Sequence, residues 1–381
     1  MGIKKIGFVG VGDISGIYLE NITKKFKELE IAGVCDLVRE KAERAAEKYG
    51  IPKIYNDMYE LFADPEVDIV LNITRPNEHY GVTKAALEAG KPVYSEKPLA
   101  ATLELGRELA ALAAEKGLLL GGAPDTFMGA GIQGCRKLLE EGVIGQPIGG
   151  MARLICHGHE TWHPDPEFYY KTPGGGPMLD MGPYYVTALV NLLGPVQSVM
   201  GMAKQEYPTR TITSKPLHGT IIDVDCPTYE MGLIRFKSGA IVQIFMTFDV
   251  YSMPGLPCIE IYGTHGNMTV PNPNNFSGDI QIKVGESNPA NVAFGSGDWV
   301  KIDTPYTCYE NNSRALGLAD LAKALETGRE PRAAVQQTLH VLEVMRAFRL
   351  SSDSGREVQI EAPFELQPAM PIVGEEGVIA G

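Results

Sequence analysis

Residues 6–16 read Ile-Gly-Phe-Val-Gly-Val-Gly-Asp-Ile-Ser-Gly, a short apolar strand that passes through a glycine turn into a helix. Gly10 permits the tight turn, and Gly12 lets the backbone approach a pyrophosphate. The first turn of the helix then offers N–H groups to the anion. Asp13 and Ile14 stand at the mouth of that helix and join Gly10 and Gly12 as dinucleotide contacts. Ser15 holds the third glycine position of the pattern, and as a small residue it still allows close helix–strand packing. A glycine turn alone binds nothing; its place between a first strand and a first helix is the context a nucleotide site requires. Asp36 ends the next strand. A carboxylate there accepts from adenosine ribose hydroxyls and repels a 2′-phosphate, which favours NAD over NADP; its plainer role is to cap the next helix. Arg39, close by, softens that preference.

Outward from this turn, strands and helices alternate to about residue 123. Strands are expected at 6–9, 31–35, 68–72, 92–95 and 118–120, and helices at 14–29, 40–49, 77–89 and 103–116. Such alternation predicts a doubly wound parallel sheet with helices on both faces. After Pro124 the rhythm changes. A helix over 132–141 precedes a β-rich run at 148–157, a Gly/Pro/aromatic loop at 158–177 and a helix near 184–193. Further strand-like runs fall at 230–236, 240–248, 258–262 and 267–270, with residues 237–240 as a hairpin turn. These predict an α/β domain with one large, mostly antiparallel open sheet, closed by helices over 314–327 and 334–351. The expected division is 1–123, a Rossmann dinucleotide-binding domain; 124–362, a substrate-binding and oligomerisation domain; and 363–381, an extended tail.

Composition narrows the function classes. In 381 residues, 44% are hydrophobic and 21% charged, as in a soluble protein with a substantial core. The net charge of −13 argues against nucleic acid and anionic membrane surfaces as partners. Six scattered cysteines without a CxxC pair read as reduced thiols, not as a disulfide framework or a zinc site. No secretory leader or spanning run is legible, so a cytoplasmic protein is expected.

Residues 91–98 read Lys-Pro-Val-Tyr-Ser-Glu-Lys-Pro. Lys97 therefore stands at the carboxyl edge of a predicted parallel strand, where open α/β sheets bind ligands. Pro98 restricts its backbone to extended geometry, and its ammonium is suited to orient a substrate hydroxyl. Glu96 and Lys97 are assigned to the cofactor site, and Lys97 also to catalysis. The turn after the third strand, with Thr74, Pro76, Asn77 and His79, would hold the nicotinamide half of a dinucleotide; Asn77 is also placed to cap a helix. His157, His159 and His163 cluster around Trp162. No recognised metal spacing appears among them. A polar–aromatic wall for a sugar fits better, with the indole against pyranose C–H groups and the imidazoles on hydroxyls. Asp180 and Tyr184 share one face if a helix starts there, and such a pair would bind and deprotonate an alcohol.

Together these residues resemble the glucose–fructose oxidoreductase / inositol dehydrogenase / rhizopine-catabolism (Gfo/Idh/MocA) family. The resemblance covers residues 3 to about 360. It rests on the glycine turn, the 74–79 segment, Glu96-Lys97-Pro98, the glycine loop leading to Asp180, and Gly317-Leu-Ala-Asp320. It implies NAD(H) or NADP(H), a sugar, polyol or glycoside substrate, and an open sheet that mediates a homo-oligomer, a dimer or tetramer. By motif, Lys97 corresponds to the catalytic lysine and Asp180 to the aspartate of the substrate loop. Where the family commonly has histidine four residues after that aspartate, this chain has Tyr184, leaving Tyr184, His159 or His163 as the base. Residues 124–127 stand where relatives often carry a basic pair, so Asp125 is expected to line the substrate and alter its choice. The implied activity is oxidation of a secondary alcohol by hydride transfer to nicotinamide. The alternatives are an NAD-dependent glycosidase acting by transient oxidation and elimination, and a dinucleotide-binding protein without turnover.

Overall fold

The computed structural model describes residues 2–251, 255–285, 298–306, 308–371 and 379. The chain packs as two compact units, Met1–Met128 with Asn312–Leu342 and Pro371–Gly381, and Gly129–Asn311 with Glu343–Met370.

In the first unit the order is β1 (Lys4–Val9), α1 (Ser15–Lys24), β2 (Leu29–Cys35), α2 (Arg39–Tyr49), α3 (Met58–Ala63), β3 (Ile69–Asn72), α4 (His79–Glu88), β4 (Val93–Ser95), α5 (Leu103–Lys116) and β5 (Leu120–Gly122). The five strands form one parallel sheet in the order β2-β1-β3-β4-β5. Ile54 adds a single parallel bridge to Val34 beyond β2, a strand reduced to one residue. β3, β4 and β5 are buried throughout, as expected for parallel strands covered on both faces.

α1 is shorter than expected. It ends at Lys24 because Phe26 turns inward and is buried, and the chain re-enters the sheet at Leu29. Helix α3 was not foreseen; Asp57 caps it through the Glu60 N–H at 2.8 Å. Residues 312–342, expected in the second domain, pack with the first. Their helix α9 (Leu316–Thr327) precedes a return of chain along the sheet edge, where the Gly122 N–H donates to Ala333 O at 2.9 Å.

The second unit contains α6 (Ala130–Glu140), β6 (Pro147–Ile155), α7 (Pro177–Asp180), α8 (Gly182–Leu193), β7 (Val196–Lys204), β8 (Thr209–Thr211), β9 (Ile221–Asp223), β10 (Tyr229–Phe236), β11 (Ile241–Thr247), β12 (Ile259–Gly263), β13 (Gly266–Val270), β14 (Ile280–Val284), β15 (Val300–Ile302) and β16 (Val358–Gln359). Helix α10 (Val335–Ser354) enters this unit from Glu343 onward. Nine strands run in the order β15-β14-β13-β12-β6-β11-β10-β7-β16. All pairs are antiparallel except β6 with β11. β8 and β9 make a separate hairpin.

Gly201 and Gly232 are paired across β7 and β10, and a Cβ on either would lie 2.7 Å from the Phe348 ring of α10. The two glycines thus make room for a large side chain on the covered face of the sheet. All twelve residues of α8 are buried; aliphatic side chains so placed contribute about 1.5–3 kcal/mol each.

Of the expected tail, residues 363–370 group with the second unit and residue 371 with the first; residues 372–378, 380 and 381 lie outside the described residues. The six cysteines are free thiols. Among the described residues no helix is long and apolar enough to cross a membrane.

Candidate active site

The parallel register of the first sheet sets Val9 opposite Asn72, Asn72 opposite Ser95, and Ser95 opposite Gly122. Three turns therefore leave the sheet at one level, carrying Gly10–Ile14, Ile73–Glu78 and Glu96–Pro98. Gly10 has φ +94°, and a Cβ there would sit 2.7 Å from Ile73 O, so no other residue fits. Gly12 is different: its Cβ direction is open space. α1 starts beside it without a side-chain cap and without an acidic residue in its first turn. The Ser15 N–H bonds Gly12 O at 3.1 Å, and the uncapped helix start beyond it fits the pyrophosphate of a dinucleotide. Ser15, in the third glycine position, is buried and turns its hydroxyl back onto Gly12 O at 2.6 Å. Asp13 and Ile14 are exposed at the mouth of the helix.

Asp36 accepts the Val11 N–H at 2.6 Å and the Val38 N–H at 2.8 Å. It thus braces the glycine turn instead of capping α2 directly, and carboxylate lone pairs remain for ribose hydroxyls. Arg39 is held by Glu43 and Asn56, each at 3.0 Å.

The buried Asn72 side chain organises the second turn. It donates to His79 O and Thr83 Oγ1, each at 3.0 Å, and accepts from the Thr74 hydroxyl at 2.7 Å. Thr74 and Pro76 are partly exposed and Asn77 is exposed. Asn77 does not cap α4; Glu78 precedes that helix and makes no side-chain cap bond. His79 is buried, with its ring nitrogens 2.8 Å from Pro98 O and 3.0 Å from Thr74 O. It holds backbone, where a direct contact with the dinucleotide was expected.

Glu96 is also buried. It accepts from the Tyr18 hydroxyl at 2.6 Å and from the Lys97 N–H at 2.9 Å. Burial, then the Glu96 charge, holds the Tyr18 hydroxyl well above its ordinary pKa. Lys97 is half-buried, and the peptide that joins it to Pro98 is cis. Asp125 departs from expectation: it is buried in the first unit and accepts the Gly317 N–H at 3.1 Å. Its carboxyl serves the start of α9, and burial pushes its pKa up to about 6.

In the second unit the loop after β6 carries the histidines. His159 Nε2 lies 3.0 Å from Asp180 Oδ2. A carboxylate oxygen accepts, so Nε2 donates its N–H, and in the neutral ring Nδ1 is the lone-pair nitrogen. Nδ1 is buried without a hydrogen-bond partner. The ring sits against Trp162, Tyr169 and Phe248, at centroid separations of 5.2, 4.3 and 4.7 Å. Trp162 is 61% exposed. His163 accepts the Asp165 N–H at 3.1 Å, and His157 stacks on the exposed Tyr251 at 4.1 Å. Among the described residues no three His, Cys, Asp or Glu side chains gather as a metal site. Asp180 ends α7, whereas Tyr184 lies in the first turn of α8 and is buried. The two do not share one continuous helix.

The loop is held from beneath by an ion network absent from the sequence expectations. Buried Arg210 donates to Glu160 at 2.9 Å, to His157 O at 3.2 Å and to Phe248 O at 2.8 Å, and pairs with Asp249. The Tyr170 hydroxyl donates to Glu160 and accepts the His159 N–H at 3.1 Å. The glycine loop before Asp180 is fixed similarly. Arg349 donates to Gly175 O at 2.8 Å and Arg346 to Pro173 O at 2.7 Å, while buried Glu230 accepts the Met178 N–H at 3.3 Å. Asp249 and Glu230 stand in strand-rich sequence where nothing marks an acidic residue as a partner for a loop.

Residues 4–122 match the profile of an oxidoreductase family with an NAD-binding Rossmann fold, and residues 132–269 match the Gfo/Idh/MocA C-terminal domain. An inositol 2-dehydrogenase/D-chiro-inositol 3-dehydrogenase from Lactiplantibacillus plantarum is 30% identical over 154 residues, which is 38% of this chain and 42% of that protein. The chain thus spans less than half the length of that relative. A 1,5-anhydro-D-fructose reductase from Ensifer adhaerens is 30% identical over 63% of this chain and 67% of its own length. Among solved structures, an NAD-binding oxidoreductase from Klebsiella pneumoniae superposes with a TM-score of 0.80 at 21% identity. It covers 94% of this chain and 100% of that one, a likeness of fold.

Burial raises Glu230 from 4.5 to about 7, against the opposing Arg349 charge. A carboxyl with a raised folded-state pKa contributes stability that is complete below its unfolded value and is lost as pH rises through the folded one. Glu230→Gln should therefore flatten the fall in melting temperature between about pH 4.5 and 7. The free-energy change at stake is on the order of 3 kcal/mol. Thermal melts of both proteins across that range, with parallel curves as the contrary result, decide it.

Proposed function

The chain belongs to the Gfo/Idh/MocA oxidoreductase family, and from that membership we propose that it oxidises a secondary alcohol of a sugar, cyclitol or glycoside with NAD as acceptor. Gly10, Gly12 and the start of α1 would hold the pyrophosphate, Asp36 the adenosine ribose, and the turn with Thr74 and Pro76 the nicotinamide half. Bound NAD supplies the hydride acceptor. The preference for NAD over NADP is supported by Asp36 and by the engagement of Arg39 with Glu43 and Asn56.

One observation carries the assignment of the base: the 3.0 Å contact between His159 Nε2 and Asp180 Oδ2. Asp180 fixes the ring, and its charge would stabilise the imidazolium formed when Nδ1 takes the hydroxyl proton, as a buried aspartate does in other histidine-base enzymes. Because Nδ1 is buried, this step requires the entering sugar to uncover that nitrogen. Lys97, the counterpart by motif of the family's catalytic lysine, would orient a substrate hydroxyl at the edge of the first sheet. Trp162, the exposed member of the aromatic set, gives an apolar face to the sugar ring. Tyr184, buried in α8, is then a packing residue. The relatives' substrates, an inositol and an anhydro-sugar, support a carbohydrate or polyol.

A second copy of the chain is proposed to cover the open face of the large sheet. Met200, Leu233, Gln243 and Met151 stand in one row across β7, β10, β11 and β6. Met200, Met202 and Leu233 are 51%, 78% and 48% exposed, and apolar side chains gathered on one sheet face suit a protein–protein contact.

Purified protein should form NADH with at least one sugar, cyclitol or glycoside, faster than it forms NADPH; silence across a broad panel with both dinucleotides would end the enzymatic reading. His159→Ala and Lys97→Ala should each lower kcat by about 100-fold or more while leaving the dissociation constant for NAD within a few-fold. Unimpaired turnover in His159→Ala would return the base to Tyr184 or His163. By light scattering the native protein should be a dimer or tetramer, and Met200→Glu with Leu233→Glu should shift it to monomer. A native monomer at micromolar concentration contradicts the assembly.

A further inference from the structure

We propose that His79 is a positioning residue, a clasp that fastens the turn carrying Thr74 to the turn carrying Lys97 so that both meet the dinucleotide in one fixed spacing. The inference rests on the NAD-dependent reading above and deepens it. His79 is 1% exposed, and its ring lies between two backbone carbonyls of different turns, with Nδ1 2.8 Å from Pro98 O and Nε2 3.0 Å from Thr74 O. Its backbone is anchored as well, since His79 O accepts from the Asn72 amide, which also binds Thr74 and Thr83. The ring is thus fixed to β3 at one end and grips both turns at the other.

Carbonyl oxygens only accept. A neutral imidazole has one N–H and makes one of the two bonds; an imidazolium makes both. Burial pushes the ring toward neutrality and so does Lys97, while Glu96 and the two carbonyls favour the charged form. In either state the ring donates to at least one turn and excludes water from the space between them. The Glu96 N–H donates to Asn72 O at 2.8 Å and holds the bases of the two turns together, so loss of the clasp would leave both turns folded and loosen their outer parts, at Thr74 and Pro98. Such loosening weakens dinucleotide binding and slows turnover together, because misplacement of about 1 Å at a reacting centre is enough to cost up to 100-fold.

The test compares His79→Phe, which keeps the volume and removes both donors, with His79→Gln, whose single amide carries two N–H groups. NAD affinity is read by quenching of protein fluorescence, and kcat and KM with a sugar the native enzyme oxidises. In His79→Phe the dissociation constant for NAD should rise about tenfold and kcat fall about tenfold, with the sugar KM within twofold. His79→Gln should recover most of both losses at a similar melting temperature. Native-like binding and turnover in His79→Phe overturns the proposal, as does a His79→Gln as defective as His79→Phe. Should His79→Phe not fold, native-state amide exchange of the wild-type protein decides. Amides of residues 74–78 and 96–99 should open with one free energy and one denaturant slope, and independent opening refutes the clasp. Wild-type protein that binds no dinucleotide defeats the functional reading instead, and the exchange measurement still judges the clasp.

Discussion

The register of four parallel strands is the constraint on which the first unit depends. Because Val9, Asn72, Ser95 and Gly122 lie abreast, the turns that follow the first three strands must share one edge of the sheet. Parallel hydrogen bonding leaves no freedom to slide one strand, since a slip of one residue turns its buried side chains to the other face. The turns are then tied to their flanking helices by polar groups that cannot reach water. Asn72 spans from its own strand to Thr74, His79 and Thr83, and Glu96 reaches back to Tyr18 of α1. A buried amide or carboxylate is tolerable only when its bonds are made, so these residues specify one arrangement of the edge.

The second unit reaches a similar end with charge. Arg210, Glu160 and Asp249 are each less than a tenth exposed, and removing such groups from water costs several kcal/mol per ion before pairing. Pairing offsets much of that. Tyr170 and Thr228 add hydroxyl donors to Glu160 and Asp249, and Arg210 also donates to two loop carbonyls. The network is thus better understood as a device that gives an irregular, proline-flanked loop a single shape than as a source of net stability. His159 inherits its position from that shape.

Much of the first unit was legible because parallel-sheet strands and amphipathic helices write their period into sequence. The strand at 69–72, the helix at 103–116 and the glycine turn all follow from local pattern. The end of α1 was not legible, because helical spacing continues past Lys24 and only the burial of Phe26 stops it. Nor was the place of residues 312–342, set by pairing with β5 across more than two hundred residues of chain. Asp125 was misjudged for a related reason: its partner is the backbone of Gly317, and a backbone N–H leaves no mark in composition. The candidate site followed the same rule. Lys97 and Asp180 could be found by motif, whereas Arg210, Asp249 and Glu230 are ordinary charged residues until the fold buries them.

Tyr184 shows where motif and geometry part. By spacing from Asp180 it occupies the position of an expected histidine, yet α8 is apolar and wholly buried from its first turn. A side chain there answers first to packing. An imidazole does meet Asp180, but it comes from the loop after β6, twenty-one residues earlier in the chain. Proton transfer depends on the distance and orientation of the two groups, and neither is specified by the element that delivers them. A loop can supply the ring as well as a helix can, provided that something makes the loop rigid. Here the buried Arg210 supplies that rigidity, so the change at residue 184 is better read together with residues 159 and 210 than alone.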